Sequence, residues 1–139
     1  MQEESVVYGC IKDTVYRADG VDRIAINHAA MASLPSADSW PLLSREMFTS
    51  SSQLAGDITQ HTEIVHFGAP YQGIEYEWPM WIEQFETLLR KMYWVSAYVH
   101  LETELSGVHS FTWESINADF HSPGSDDIHL RCEWVKEAI

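Results

Sequence analysis

The sequence predicts an α+β fold: a single domain, residues 1–139, in which an antiparallel sheet carries two main helices on one face. Three observations predict it. Residues 75–94 hold a 3.6-residue apolar stripe, with Trp78, Trp81, Ile82, Phe85, Leu88, Leu89 and Met92 on one face and Glu83, Gln84, Glu86, Thr87, Arg90 and Lys91 on the other. Residues 93–104 alternate with period two, Val95, Ala97, Val99, Leu101 and Thr103 against Ser96, Tyr98, His100, Glu102 and Glu104. The order of patterns is strand, helix, one or two strands, helix, then two or three strands, a βαββαβ-like core with a C-terminal strand extension. At 139 residues and 45% hydrophobic content the chain has material for one core and not for two.

The first element is residues 6–12 (VVYGCIK), a short run of β-formers placed as a strand near the middle of the sheet, with Gly9 marking a close backbone approach. Residues 19–34 change to helical spacing. Val21, Ile24, Ala25, His28, Met31 and Ala32 share a face, Asp19 caps it and Pro35 stops it. The Ser, Asp and Pro content of 36–44 (SADSWPLLS) makes a loop, with Trp40, Leu42 and Leu43 expected to pack back onto the body.

Residues 46–51 fit a short strand, 50–59 a polar turn, 62–67 (TEIVHF) a further strand and 68–73 (GAPYQG) a turn into the main helix. Pro79 suits that helix's first turn, where a missing N–H costs nothing. Glu75 and Glu77 at its start and Arg90 and Lys91 at its end complement the macrodipole. Ser106-Gly107 is the natural two-residue turn of a hairpin whose second strand runs through Trp113 or Glu114. After a polar loop at 117–127, residues 128–135 alternate again, with Ile128, Leu130, Cys132 and Trp134 on one face.

The chain carries a formal charge of −13, unevenly placed. No Lys or Arg occurs from Glu46 through Leu89, while Glu46, Asp57, Glu63, Glu75, Glu77, Glu83 and Glu86 do. A field of that sign repels nucleic acid and anionic membranes and steers a basic partner inward. The start, MQEESVV, lacks a basic n-region and an apolar h-region, which predicts a cytoplasmic protein without a membrane span. Cys10 and Cys132 stand at a spacing that suits neither a disulfide framework nor zinc, so both are expected as free thiols.

A turn at Ser106-Gly107 pairs Glu104 with His109, Glu102 with Phe111 and His100 with Trp113, on the side opposite the aliphatic residues. The expected site is therefore a partner-binding surface drawn from Glu102, Glu104, Phe111 and Trp113, extended by Glu63, Glu75 and Glu77. Aromatic anchors supply buried area there, and carboxylates select a basic partner. The competing reading makes Phe111 and Trp113 a second small core. His100, Glu102, Glu104 and His109, or His61, Glu63 and His66, offer donors suited to zinc or manganese, but without spacing that fixes a geometry, so no metal or cofactor is expected. No GxSxG elbow, phosphate loop or recognised cysteine nucleophile occurs, and no catalytic residue is assigned. An enzyme using the His/Glu face, or an adaptor subunit, are the alternatives from other classes.

The Trp-rich second helix (YEWPMWIEQFETLLRKMYW), the upstream SWPLLSREMF and the following HLETEL strand resemble certain bacterial immunity proteins. These are the ones paired with restriction-endonuclease-like DNase toxins in polymorphic toxin and type VI secretion systems. The resemblance covers about 40–113 and rests on general pattern. It implies a non-enzymatic inhibitor that binds its toxin in the producing cell, and it supplies no catalytic residues. Dense negative charge agrees with it, since an inhibitor of a DNA-binding surface gains on-rate from that charge.

Overall fold

Six strands form one antiparallel sheet in the order β2-β3-β1-β4-β5-β6. The computed structural model describes residues 4–14, 22–50, 62–104, 106–116, 119–125 and 128–135, the last strand beyond Ile128 by its backbone. The strands are β1 (Glu4–Thr14), β2 (Phe48–Ser50), β3 (Thr62–Gln72), β4 (Ser96–Thr103), β5 (Gly107–Ser115) and β6 (Ile128–Val135). Helix α1 (Arg23–Ala32) lies between β1 and β2, and α2 (Trp78–Arg90) between β3 and β4. Two βαβ units interlock, because β3 lies between β1 and β2 while β1 lies between β3 and β4. The fold is α+β, as the patterning implies. Among the described residues no helix is long and apolar enough to cross a membrane.

The core forms where the stripe of α2 meets one face of the sheet. Trp81, Phe85, Leu88, Leu89 and Met92 are buried against Val7, Ile11, Val65, Phe67, Ala97, Val99 and Leu101, with Trp78 and Ile82 half-buried at the margin. The rings interlock: Phe67 lies 5.3 Å from Phe85, which stacks on Trp81 at 5.1 Å and meets Trp113 edge-on at 4.9 Å. Such aromatic pairs add about 0.5–1.5 kcal/mol beyond their burial.

Four expectations require correction. The strand expected to end at Phe67 runs on to Gln72 through GAPYQ. Pro70 is tolerated because β2 pairs only with Val65, His66 and Phe67, leaving that stretch of β3 an edge, where a missing N–H costs no ladder bond. The face of α1 turned inward is only partly apolar: Met31 is buried as expected, with Ala30, but Arg23 and Asn27 are buried beside them, while Ala25 and Ala32 are exposed. Specific partners permit this burial. Arg23 Nη1 donates to Asp13 (3.2 Å) and to the Thr14 carbonyl (2.7 Å), and its guanidinium lies over Phe120 and Tyr93. Asn27 accepts from the Tyr93 N–H (2.7 Å) and donates to the Tyr93 carbonyl (2.9 Å). Asp22 caps the helix, accepting from the Ala25 N–H at 3.1 Å; Asp19 and Val21 lie outside the described residues.

Third, the β4–β5 hairpin has another register. Its last pair is Thr103 with Gly107, so three residues form the connection instead of two, and Gly107 adopts φ 78°, the left-handed conformation that closes such loops. Thr103 Oγ1 accepts from the Ser106 N–H at 2.9 Å and holds the turn. The offset differs from the expected one by an odd number, which turns every β5 side chain to the other face. Phe111 pairs with Val99 and Trp113 with Ala97, on the helix side; they are 9% and 0% exposed. Trp113 Nε1 donates to Glu86 of α2 at 2.8 Å. They belong to the main core, neither a surface patch nor a second core.

Fourth, of the three loop residues expected to pack back, Leu43 is buried and Leu42 half-buried, but Trp40 is 93% exposed.

Candidate functional site

The strand register gathers carboxylates at one end of the molecule. Ser5 pairs with Tyr71 on one side and Thr103 on the other, so the start of β1, the end of β3 and the end of β4 coincide. Glu4, Glu102 and Glu104 are exposed there. The short 3₁₀ turn Ile74–Glu77 that leads into α2 adds two more: Glu75 accepts a hydrogen bond from the Ser5 hydroxyl at 3.2 Å, and Glu77 is exposed. Of the expected site residues, Glu75, Glu77, Glu102 and Glu104 therefore share this pole, together with Glu4.

The remaining three do not. Phe111 and Trp113 are in the core, and Glu63 is 2% exposed at the opposite pole, paired in register with Asp13 and 3.7 Å from His28 Nε2. Glu63 projects to the helix side of β3, where its odd-numbered neighbours Val65 and Phe67 are also buried. The same alternation separates the histidines. His100 is on the open face, bonded to Ser110 at 2.9 Å and tilted against the Tyr8 ring at 5.1 Å, whereas His109 pairs with Leu101 on the helix side. Glu63 and His66 likewise lie on opposite faces, and among the described residues no group of three ligating side chains converges on a point.

Among the described residues, Lys12, Arg23, Arg90 and Lys91 lie away from the acidic pole. Lys12 is towards the far end of β1, where its carbonyl accepts from the Val95 N–H at 2.7 Å, and Arg90 and Lys91 end α2 on the helix side of the sheet. Arg23 is buried at that same end by its bond to Asp13. Arg45 pairs with Glu46 at 3.8 Å. The N-terminus of α2 faces the acidic pole, so its dipole lowers the cost of holding Glu75 and Glu77 so close together.

One aromatic side chain stands out at this pole. Trp40 is the sole described non-glycine residue with positive φ, at φ 54° and ψ 44°. A left-handed conformation costs an L-residue about 1–2 kcal/mol, and a following proline disfavours it further. An indole 93% exposed recovers little of that through burial. The loop holding it is fastened at several points. Ser36 Oγ donates to Glu46 at 3.2 Å and the Ala37 N–H to the same carboxylate at 3.1 Å. The Arg45 N–H donates to the Pro35 carbonyl at 3.1 Å. Trp81 Nε1 donates to Tyr71 Oη at 3.2 Å, and that hydroxyl donates to the Leu42 carbonyl. Burial raises the Tyr71 phenol above its ordinary pKa, against the bond from Trp81, so it remains a donor.

Between this loop and β3 runs a cleft of about 780 Å³, lined by Trp40, Pro41, Ala69 and Pro70 together with Glu4 and Glu77. Tyr76, beside Glu77, is 82% exposed. Sequence reasoning missed Trp40, Tyr76 and Glu4. Nothing in SWP marks an outward indole, because apolar content in a short loop ordinarily signals packing; the one available hint was the acidic residues on either side.

No protein-family model, curated protein or solved structure matches the chain. The arrangement offers recognition, with fixed negative charge and an exposed aromatic ring on a braced loop. Cys10 is a free, half-buried thiol on the open face, and burial pushes its pKa up despite Lys12 nearby, which disfavours the reactive thiolate.

Proposed function

We propose that this chain is a cytoplasmic, non-catalytic immunity protein that binds and neutralises a basic toxin, a nuclease in the reading its sequence resemblance suggests. The observation that carries this is the gathering of exposed carboxylates at one end. Glu4, Glu75, Glu77, Glu102 and Glu104 share one pole, while Lys12, Arg90 and Lys91 occupy the other. Concentrated like charge costs self-repulsion, and a fold that retains it at one end gains faster encounter with a cationic surface. A nuclease must present such a surface to DNA, so an acidic pole competes for the ground that the phosphate backbone would occupy.

The test starts from the protein isolated from its producing cell with its partner, identified by mass spectrometry. Association and dissociation with the purified partner are then measured at two ionic strengths. Glu104→Lys should lower the association rate, and the effect should shrink as salt rises. A partner that is not basic, or association indifferent to both salt and charge reversal at Glu102 and Glu104, would reject the proposal.

A further inference from the structure

The cleft beside Trp40 has a composition more specific than an acidic surface requires. We infer that it is an arginine clamp: Trp40 stacks on the guanidinium of an arginine from a basic partner, and Glu4 and Glu77 pair with its charge. This deepens the functional reading above and rests on it for the partner's identity, though not for the side-chain chemistry.

The cleft is amphipathic in the way an arginine side chain is. Pro41, Ala69 and Pro70 give apolar walls for the methylene stem, while Glu4 and Glu77 line the same cleft and offer carboxylates to the charged head. Arginine fits this better than lysine, because a planar guanidinium stacks on an indole and offers paired donors to carboxylates, whereas an ammonium is a hydrated point charge.

Charge complementarity excludes an anionic occupant. Among the described residues no Lys or Arg lines the cleft, and Arg45 is paired with Glu46.

Trp40 is also pre-organised. It is held outward by a loop tied to β3 and α2 through Leu42, Tyr71 and Trp81, in a backbone conformation that an indole does not adopt without cause. Strain of this sort collects at ligand clamps, where positioning in advance lowers the entropy lost on docking.

The probe is acetyl-tetraarginine amide, compared with acetyl-tetralysine amide, titrated at low salt into the full chain carrying ¹⁵N-labelled indoles. The Trp40 resonance is assigned by its loss in Trp40→Ala, a variant that removes an almost fully exposed side chain and so leaves the core intact. The arginine peptide should shift the Trp40 indole saturably and bind more tightly than the lysine peptide. Trp40→Ala should weaken it by about 3- to 30-fold, the range expected of a cation–π contact. Glu77→Gln should weaken it as well, and both variants should narrow the preference for arginine.

A Trp40 resonance unmoved at millimolar peptide, or equal binding of both peptides unaffected by Trp40→Ala, would overturn the clamp and leave only diffuse attraction. Binding of the native partner separates this inference from the functional reading. If a basic partner binds and Trp40→Ala leaves its dissociation rate unchanged, the clamp is wrong and the function stands. If the peptide binds as expected and no basic partner exists, the clamp stands and the function is wrong.

Discussion

Replacing Gly9 with alanine tests the centre of the fold. Gly9 sits on β1 between Phe67 of β3 and Val99 of β4, at the middle of an order that places β1 inside the sheet. A Cβ built there would lie 2.0 Å from the Tyr98 carbonyl oxygen and 2.9 Å from Phe67 Cζ. Relief requires β4 to move by about 1 Å and the Phe67 ring to shift from its place against Phe85, and close packing resists both. Overpacking of this kind costs about 1–3 kcal/mol. One or two weakened ladder bonds add about 1 kcal/mol each. The smaller entropy of an unfolded alanine returns about 0.4–1 kcal/mol. The net expectation is a loss of roughly 2–4 kcal/mol, which for a chain of this length lowers Tm by roughly 6–16 °C.

Gly68→Ala is the matched control, because it lies on the adjacent strand opposite Tyr8 and its Cβ would meet nothing nearer than 3.5 Å. It should be neutral or stabilising by up to about 1 kcal/mol. Urea and thermal unfolding of both variants decide the matter. Equal responses from the two glycines, or Gly9→Ala within about 0.5 kcal/mol of the parent, would show that β1 is not flanked as described.

Other outcomes follow from the core and the buried charges. Trp113→Ala and Phe85→Ala should each cost about 3–5 kcal/mol in urea unfolding, since both rings are fully buried, and Trp113→Ala also strips Glu86 of its indole donor. A Trp113→Ala variant of unchanged stability would restore the two-residue turn and the surface placement. Asp13 supplies a pH dependence: burial foremost, with neighbouring Glu63 adding, lifts its pKa from 3.8 to about 6 against the pull of Arg23 and the Thr14 backbone. The folded state therefore holds this proton more tightly than the unfolded chain, so stability should fall as pH rises from about 4 through 6, by about 3 kcal/mol in all. Asp13→Asn should flatten that segment of the profile, and an identical slope in parent and variant would discount the buried carboxyl as its source.

Much of the architecture was legible because it depends on local period. The α2 stripe and the aliphatic side of β4 appear in the sequence as they do in the fold, since each needs only one element to know which face is apolar. The inward face of α1 was not legible. Arg23 and Asn27 are buried because Asp13, Thr14 and Tyr93 meet them from elsewhere in the chain, and a periodicity of apolar residues contains no such partners. Strand order was beyond reach for the same reason, being a property of pairs of elements. At the candidate site the carboxylates were legible as composition, and Glu75, Glu77, Glu102 and Glu104 do share a pole. What brings them together is the coincidence of three strand ends at Ser5.

The hairpin shows how two readable signals should be weighed when they conflict. Ser106-Gly107 argued for a two-residue turn, while β5 alternates on its own terms: Phe111 and Trp113 against Ser110 and Thr112. Turn preference is a local term, and β-propensity differences reach only about 1 kcal/mol. Burying two large aromatic rings against an apolar helix face gains about 1.5–3 kcal/mol each. The larger sum fixes the register, and Gly107 then serves a three-residue connection just as well. The same comparison bears on the proposed binding surface. Rings that can reach the core are drawn into it, so an aromatic available to a partner has to be one that the fold holds away. Trp40 meets that condition: its neighbours Leu42 and Leu43 pack inward, and the left-handed turn between them and Ser36 leaves the indole outside.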